Sequence, residues 1–139
     1  MENLFENYGF YRDKLLHVSS KEAYELCLKG AILLDVREEY LNSFKKFDVP
    51  YIIYIPLSKI KQNDYKLNKE SCFYIVADSA GLRSKEAAKL LLSNNFLNIA
   101  NMAGGLIEWE RANLPLIINN NEKLTGSCMC QLKKHNNNS

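Results

Sequence analysis

Cys72-Phe73-Tyr74-Ile75-Val76-Ala77-Asp78-Ser79-Ala80-Gly81-Leu82-Arg83-Ser84 is the stretch on which the fold turns. Residues 72–77 are almost wholly β-branched, aromatic or small, which predicts a central strand covered on both faces. Asp78 to Leu82 breaks that run with polar and small residues, and Gly81 admits backbone angles closed to other residues. From Arg83 to Ser93 the pattern changes period, with Ala87, Leu90 and Leu91 on one face of a helix. Asn94 and Asn95 tolerate left-handed geometry and end it. The unit is strand, tight turn, helix. Ligands in open α/β sheets bind beyond the carboxyl ends of strands, where helix N-termini gather unpaired N–H groups. The turn Asp78-Ser79-Ala80-Gly81-Leu82-Arg83-Ser84 is therefore the candidate anion-binding loop, with a plain strand-to-helix connection as the alternative.

The same alternation runs outward in both directions. Upstream, Ser19 with Glu22 forms a capping box, Ala23, Leu26 and Cys27 make an apolar face, and Gly30 closes that helix. Ile32-Leu33-Leu34 ending in Asp35 reads as a second buried strand, and Glu38 to about Lys45 as a helix. Ile52-Ile53-Tyr54-Ile55 is a third strand stopped by Pro56, and Ser58-Lys59-Ile60 a helical turn. Downstream, Leu97 to about Met102 is a last strand, and Gly104-Gly105 opens a short helix through Trp109 and Glu110. Alternating strands and helices predict an α/β fold with a largely parallel sheet.

Composition narrows the classes. The chain has 139 residues, 47% hydrophobic and 24% charged, as in one ordinary globular domain. Eighteen Lys and Arg against 16 Asp and Glu leave +2, too balanced for a nucleic-acid or membrane-surface partner. No apolar run approaches a membrane span, and the acidic start Met1-Glu2-Asn3-Leu4-Phe5-Glu6 is unlike a secretory signal. Four cysteines scattered over core and tail fit a cytoplasmic protein with reduced thiols better than a disulfide framework. Cys27 is expected as a helix core residue, Cys72 as a strand residue, and His17 as surface or cap packing.

Leu33-Leu34-Asp35-Val36-Arg37, Ile55-Pro56-Leu57, the loop through Ser84, and Met102-Ala103-Gly104-Gly105-Leu106-Ile107-Glu108-Trp109 follow one another in a telling order. Over roughly residues 18 to 116 the set resembles a rhodanese-like (sulfurtransferase) domain. The resemblance implies a single domain with a five-stranded, mainly parallel sheet, flanked by helices on both faces, and a six-residue active loop. Residues 1–17 would then be an N-terminal extension, 18–118 the domain, and 119–139 a flexible polar tail. Asp35 and Arg37 occupy the family's D-x-R, expected as a fold-stabilising polar network, and Trp109 is expected to pack the last helix on the core. Gly104 and Gly105 complete the structural motif. Phe47-Asp48-Val49-Pro50-Tyr51 stands where the family usually carries a His and a Gly.

In active members the loop begins with a cysteine, C-x-x-G-x-R, whose thiolate takes up a sulfane sulfur as a persulfide. Aligned on Gly81, Arg83 and Ser84, that position is Asp78 in this chain. A carboxylate is too hard a nucleophile to hold sulfane sulfur, so ordinary sulfur transfer through the loop is not expected. Asp78 would instead put its own anion in the N–H nest and rigidify the loop. The resulting expectation is a binding or regulatory module for a protein partner or a small anion, with no cofactor and no resident metal. Arg83 either binds an external anion or pairs within the loop. Two alternatives stand beside this. Cys128-Met129-Cys130 in the tail can carry sulfur or electrons, the two thiols being close enough for a strained, exchangeable disulfide. Asp78 can also be a phosphatase-type nucleophile, although Ser79 and Ala80 supply no second acid or base.

Overall fold

Short apolar strands and capped helices alternate through the computed structural model, which describes residues 3–38 and 44–119. In chain order they are β1 (Phe10–Arg12), β2 (Leu15–Val18), α1 (Ser20–Leu28), β3 (Ile32–Asp35), β4 (Lys45–Phe47) and β5 (Ile52–Tyr54). Then follow α2 (Leu57–Lys61), β6 (Tyr74–Ala77), α3 (Leu82–Ser93), β7 (Ile99–Met102), α4 (Gly105–Arg111) and β8 (Leu116–Ile118). The main sheet has the order β1-β2-β7-β6-β3-β5, and β4 pairs with β8 in a small second sheet. From β2 to β5 every pairing is parallel, whereas β1 lies antiparallel to β2. The crossovers from β2 to β3, β5 to β6 and β6 to β7 carry α1, α2 and α3, and the helices divide between the two faces.

That division follows the period-2 alternation of the strands. On β6, Ile75 and Ala77 face the cluster that holds Ala23, Leu26 and Cys27 of α1 and Leu106 and Trp109 of α4. Tyr74 and Val76 face the other cluster, with Leu57 and Ile60 of α2 and Ala87, Ala88 and Leu91 of α3. All four β6 residues are buried, as a central strand requires. Helix starts and stops obey local chemistry. Ser19 Oγ accepts from the Glu22 N–H at 3.1 Å, and Glu22 Oε1 accepts from the Ser19 N–H at 2.9 Å. Asn95, just past α3, has φ +72°. No helix among the described residues is long and apolar enough to cross a membrane.

The structure corrects several expectations. Residues 10–17, expected within the extension 1–17, belong to the β1–β2 hairpin of the main sheet, which thus has six strands, five of them parallel, rather than five. Leu15, Leu16 and Val18 are buried there, but a four-residue run interrupted by His17 carries too little periodicity to be read as a strand. The helix expected from Glu38 to Lys45 falls largely on residues 39–43, outside the described residues, and Lys45 itself opens β4. Burial of Phe47 against Trp109 and pairing of Lys45–Phe47 with Leu116–Ile118 set that strand. The strands expected from Cys72 and Leu97 begin two residues later, at Tyr74 and Ile99. Cys128 and Cys130 lie outside the described residues.

Candidate functional site

β6 delivers Asp78 to the rim of the sheet, where the residue is 3% exposed. Its Oδ1 accepts from the Gly81 N–H, and its Oδ2 accepts from the N–H groups of Arg83 at 2.7 Å and Ser84 at 3.1 Å. The loop thus curls around one carboxylate, and the first turn of α3 supplies two of the three donors. Gly81, at φ +105°, allows the curl, and a Cβ there would meet the Gly104 nitrogen at 2.9 Å. α4 backs the loop from below. The Leu106 N–H donates to the Asp78 carbonyl at 2.9 Å and the Ile107 N–H to the Ser79 carbonyl at 3.1 Å. Gly105 permits this contact, since a Cβ on it would lie 2.5 Å from the Ser79 carbonyl group.

Above the carboxylate is a hollow of about 280 Å³ lined by Arg37, Asp78, Ser79, Ala80, Leu82 and Arg83. Its two arginines differ. Arg37 is 2% exposed and pairs with the fully buried Asp35 at 2.8 Å, with a further bond to the Lys45 carbonyl at 2.8 Å. Its guanidinium also lies over the Phe47 ring. Arg83 is exposed and forms no ion pair with any described carboxylate. Leu82 beside it is 78% exposed. The D-x-R pair therefore holds the scaffold, while Arg83 and Leu82 face outward.

No thiol of the described residues reaches this hollow. Cys27 is fully buried in α1, and burial pushes its thiol up to about 12. Cys72 precedes β6 at its opposite end, about 20 Å from Asp78 at the rise of an extended strand. Trp109 anchors the scaffold as expected, fully buried with its Nε1–H donating to the Pro115 carbonyl at 2.8 Å. Among the described residues, no three of His, Cys, Asp or Glu come together as a metal site.

The loop has a partner network that the sequence did not suggest. Ser84 Oγ donates to Asn101 Oδ1 at 2.5 Å, and Asn101 Nδ2 and His17 Nδ1 share a hydrogen bond at 3.2 Å. His17, expected as surface or cap packing, is instead buried on β2, stacked with the Phe10 ring. One signal was available: Asn101 interrupts an otherwise apolar strand, and a buried amide must find partners.

A description of the rhodanese-like domain matches residues 19–112. The chain belongs to the rhodanese-like domain family. Rhodanese-like domain-containing protein 17 of Arabidopsis thaliana is 32% identical over 120 residues, covering 78% of this chain and 77% of the relative. A rhodanese-related protein from Thermoplasma volcanium superposes with TM-score 0.64 at 28% identity, over 78% of this chain and all of that one. The polysulfide-sulfur transferase homodimer of Wolinella succinogenes gives TM-score 0.64 at 25% identity, over 76% and 80% of the two chains. Within this rhodanese-like fold, Asp78 stands at the head of the loop between β6 and α3.

Proposed function

We propose that this rhodanese-like domain is a binding module whose loop does not carry sulfane sulfur. One observation carries the reading: both oxygens of Asp78 are held by backbone N–H groups of Gly81, Arg83 and Ser84. Those donors are the ones that would stabilise a thiolate and a persulfide anion. A second anion cannot enter the nest without displacing the carboxylate, and like charges at that range repel. Recognition falls to the rim, where unpaired Arg83 and exposed Leu82 suit a small anion or an acidic, partly apolar segment of a protein partner. The free thiols of Cys27 and Cys72 support a place in the reducing cytoplasm. An aspartyl-phosphate route finds no support, since both Asp78 oxygens are engaged and the described residues lining the hollow include no second carboxylate or histidine.

Sulfur transfer, the activity of the Wolinella relative, is the one to test. The full chain is mixed with thiosulfate and cyanide; transfer moves one sulfane sulfur to cyanide, yielding thiocyanate and releasing sulfite. The expected rate is the uncatalysed one, while Asp78→Cys, which restores a soft nucleophile inside the same nest, gains turnover. Turnover by the unsubstituted chain overturns the proposal. The pair Cys128→Ser and Cys130→Ser then shows whether tail thiols carry that sulfur. A folded but silent Asp78→Cys variant overturns the nest argument.

A further inference from the structure

Ala80 and Leu82 stand between two hollows and help to wall both. On one side is the hollow of about 280 Å³ with Arg83, and on the other a recess of about 250 Å³ whose walls include Phe10, Arg12 and Lys85. Leu82, in the first turn of α3, is the ridge between them, with most of its side chain in solvent. Phe10 on β1 is exposed beside it. α4 adds Ile107, also exposed, whose N–H donates to the Ser79 carbonyl at 3.1 Å. Single exposed apolar side chains are ordinary, whereas several gathered around one loop mark a contact surface.

The charge around this ridge is positive. Arg83 on one side, and Arg12 and Lys85 on the other, form no ion pair with a described carboxylate. The acids that adjoin Arg12, Lys85 and Ile107 in the chain are already engaged: Asp13 by Lys89 at 3.9 Å, Glu86 by Lys61 at 3.2 Å and Glu108 by Arg111 at 2.7 Å. Asp78 is the one carboxylate in either wall, and backbone N–H groups hold its oxygens. The Arg12 guanidinium lies 5.8 Å from the Phe10 ring centroid, so cation and apolar surface adjoin there. The ridge is also held in place, by Asp78 beneath the first turn of α3 and by α4 behind the loop. A surface ordered before its partner arrives loses less entropy on binding.

We propose that this ridge docks an acidic segment of a protein partner, with one apolar side chain between two carboxylates. The proposal rests on the reading that recognition falls to the rim of the loop, and it settles on one occupant for that rim. A small anion would meet the cations of one hollow and leave Leu82 and Phe10 in water. In an extended segment alternate side chains share a face. The pattern acid-x-apolar-x-acid therefore lays its apolar side chain on Leu82 and one carboxylate over each hollow, the two acids about 14 Å apart along the backbone. A flat lipid surface would touch the ridge without entering the hollows beside it.

The test uses the full chain with nitrogen-15 labelling, titrated with the acetylated and amidated peptide Glu-Ser-Leu-Ser-Glu while backbone amides are followed by NMR. Saturable shifts are expected at Leu82, Arg83 and Lys85 and along β1. Leu82→Ser is expected to weaken binding about tenfold, as the loss of a partly covered leucine. Arg83→Met and Lys85→Met are each expected to weaken it about threefold, the weight of an exposed ion pair. The amide spectrum of each variant reports its folding directly. No shift up to about 10 mM peptide, beyond the millimolar range of weak binding, overturns the proposal. Equal binding of Lys-Ser-Leu-Ser-Lys, or of inorganic phosphate, overturns it as well. Co-sedimentation with phosphatidylserine vesicles would assign the ridge to a membrane instead, and shifts that grow with protein concentration alone would assign it to a second copy. Thiosulfate turnover is read separately. Turnover by a chain that binds the peptide strikes the silence of the loop and spares this surface, whereas a silent chain that ignores the peptide strikes this surface alone.

Discussion

Asp78→Asn keeps the shape of the loop residue and removes its negative charge, and the structure sets the size of the response. Three backbone donors converge on the carboxylate, one on Oδ1 and two on Oδ2. An asparagine has one acceptor oxygen. Its better orientation turns that oxygen to Arg83 and Ser84 and points its NH2 at the Gly81 N–H, setting donor against donor. One bond to a charged acceptor is lost, about 1.5–3 kcal/mol, and the other two weaken to neutral bonds, about 1 kcal/mol together. The expected destabilisation is about 2.5–4 kcal/mol, or about 10–16 °C in Tm at about 4 °C per kcal/mol. Urea unfolding followed by circular dichroism measures it, provided that the m-value is unchanged. A loss under about 0.5 kcal/mol, the range of an ordinary surface substitution, would refute the claim that the carboxylate holds the loop together.

Four further substitutions address the scaffold and the buried His17. Asp35→Asn leaves the Arg37 guanidinium buried without its counter-charge and is expected to destabilise by about 3–5 kcal/mol in the same unfolding assay. Gly105→Ala, at φ +59° and in collision with the Ser79 carbonyl group, is expected to lose about 2–4 kcal/mol. Gly30→Ala, with φ +114° but open space around it, should lose only the backbone strain, about 1–2 kcal/mol; equal losses would contradict the close approach of α4 to the loop. His17 has its pKa lowered from 6.5 by burial first, with Lys85 and Arg12 adding and the Arg12 backbone and Asp13 opposing. The unfolded chain therefore binds more protons between the folded pKa and 6.5, so stability falls as pH drops below 6.5 and levels beneath the folded value. Urea midpoints for His17→Gln should show a flatter fall over that window; parallel curves would show that His17 does not titrate there.

Much of this was written locally. A capping box needs only Ser19 and Glu22, a helix stop only Gly30 or Asn95, and a buried strand only the run ending at Ala77. The head of the loop was also legible, because a turn between such a strand and a helix has few ways to place its donors. Asp78 met the N–H groups that its position predicted. Lys45 illustrates the opposite case. Its neighbourhood reads as helix, but the bond from Arg37 to its carbonyl and the pairing with Ile118 place it in a strand. Ile118 lies far along the chain, and no window of neighbouring residues contains it.

Sequence alone determined the alternation of main-sheet strands and helices from β5 to α4, the family and the identity of the residue at the head of the loop, since each rests on short-range pattern or fixed spacing. Tertiary structure decided the rest. It recruited Leu15–Val18 into the sheet, because burying Leu15, Leu16 and Val18 outweighs the weak strand signal of four residues. It also brought His17, Ser84 and Asn101 into one chain of hydrogen bonds, leaving one ring nitrogen, His17 Nε2, buried without a hydrogen-bond partner among the described residues. Buried polar groups must be satisfied wherever the fold puts them, and which groups meet is settled only when distant strands pair.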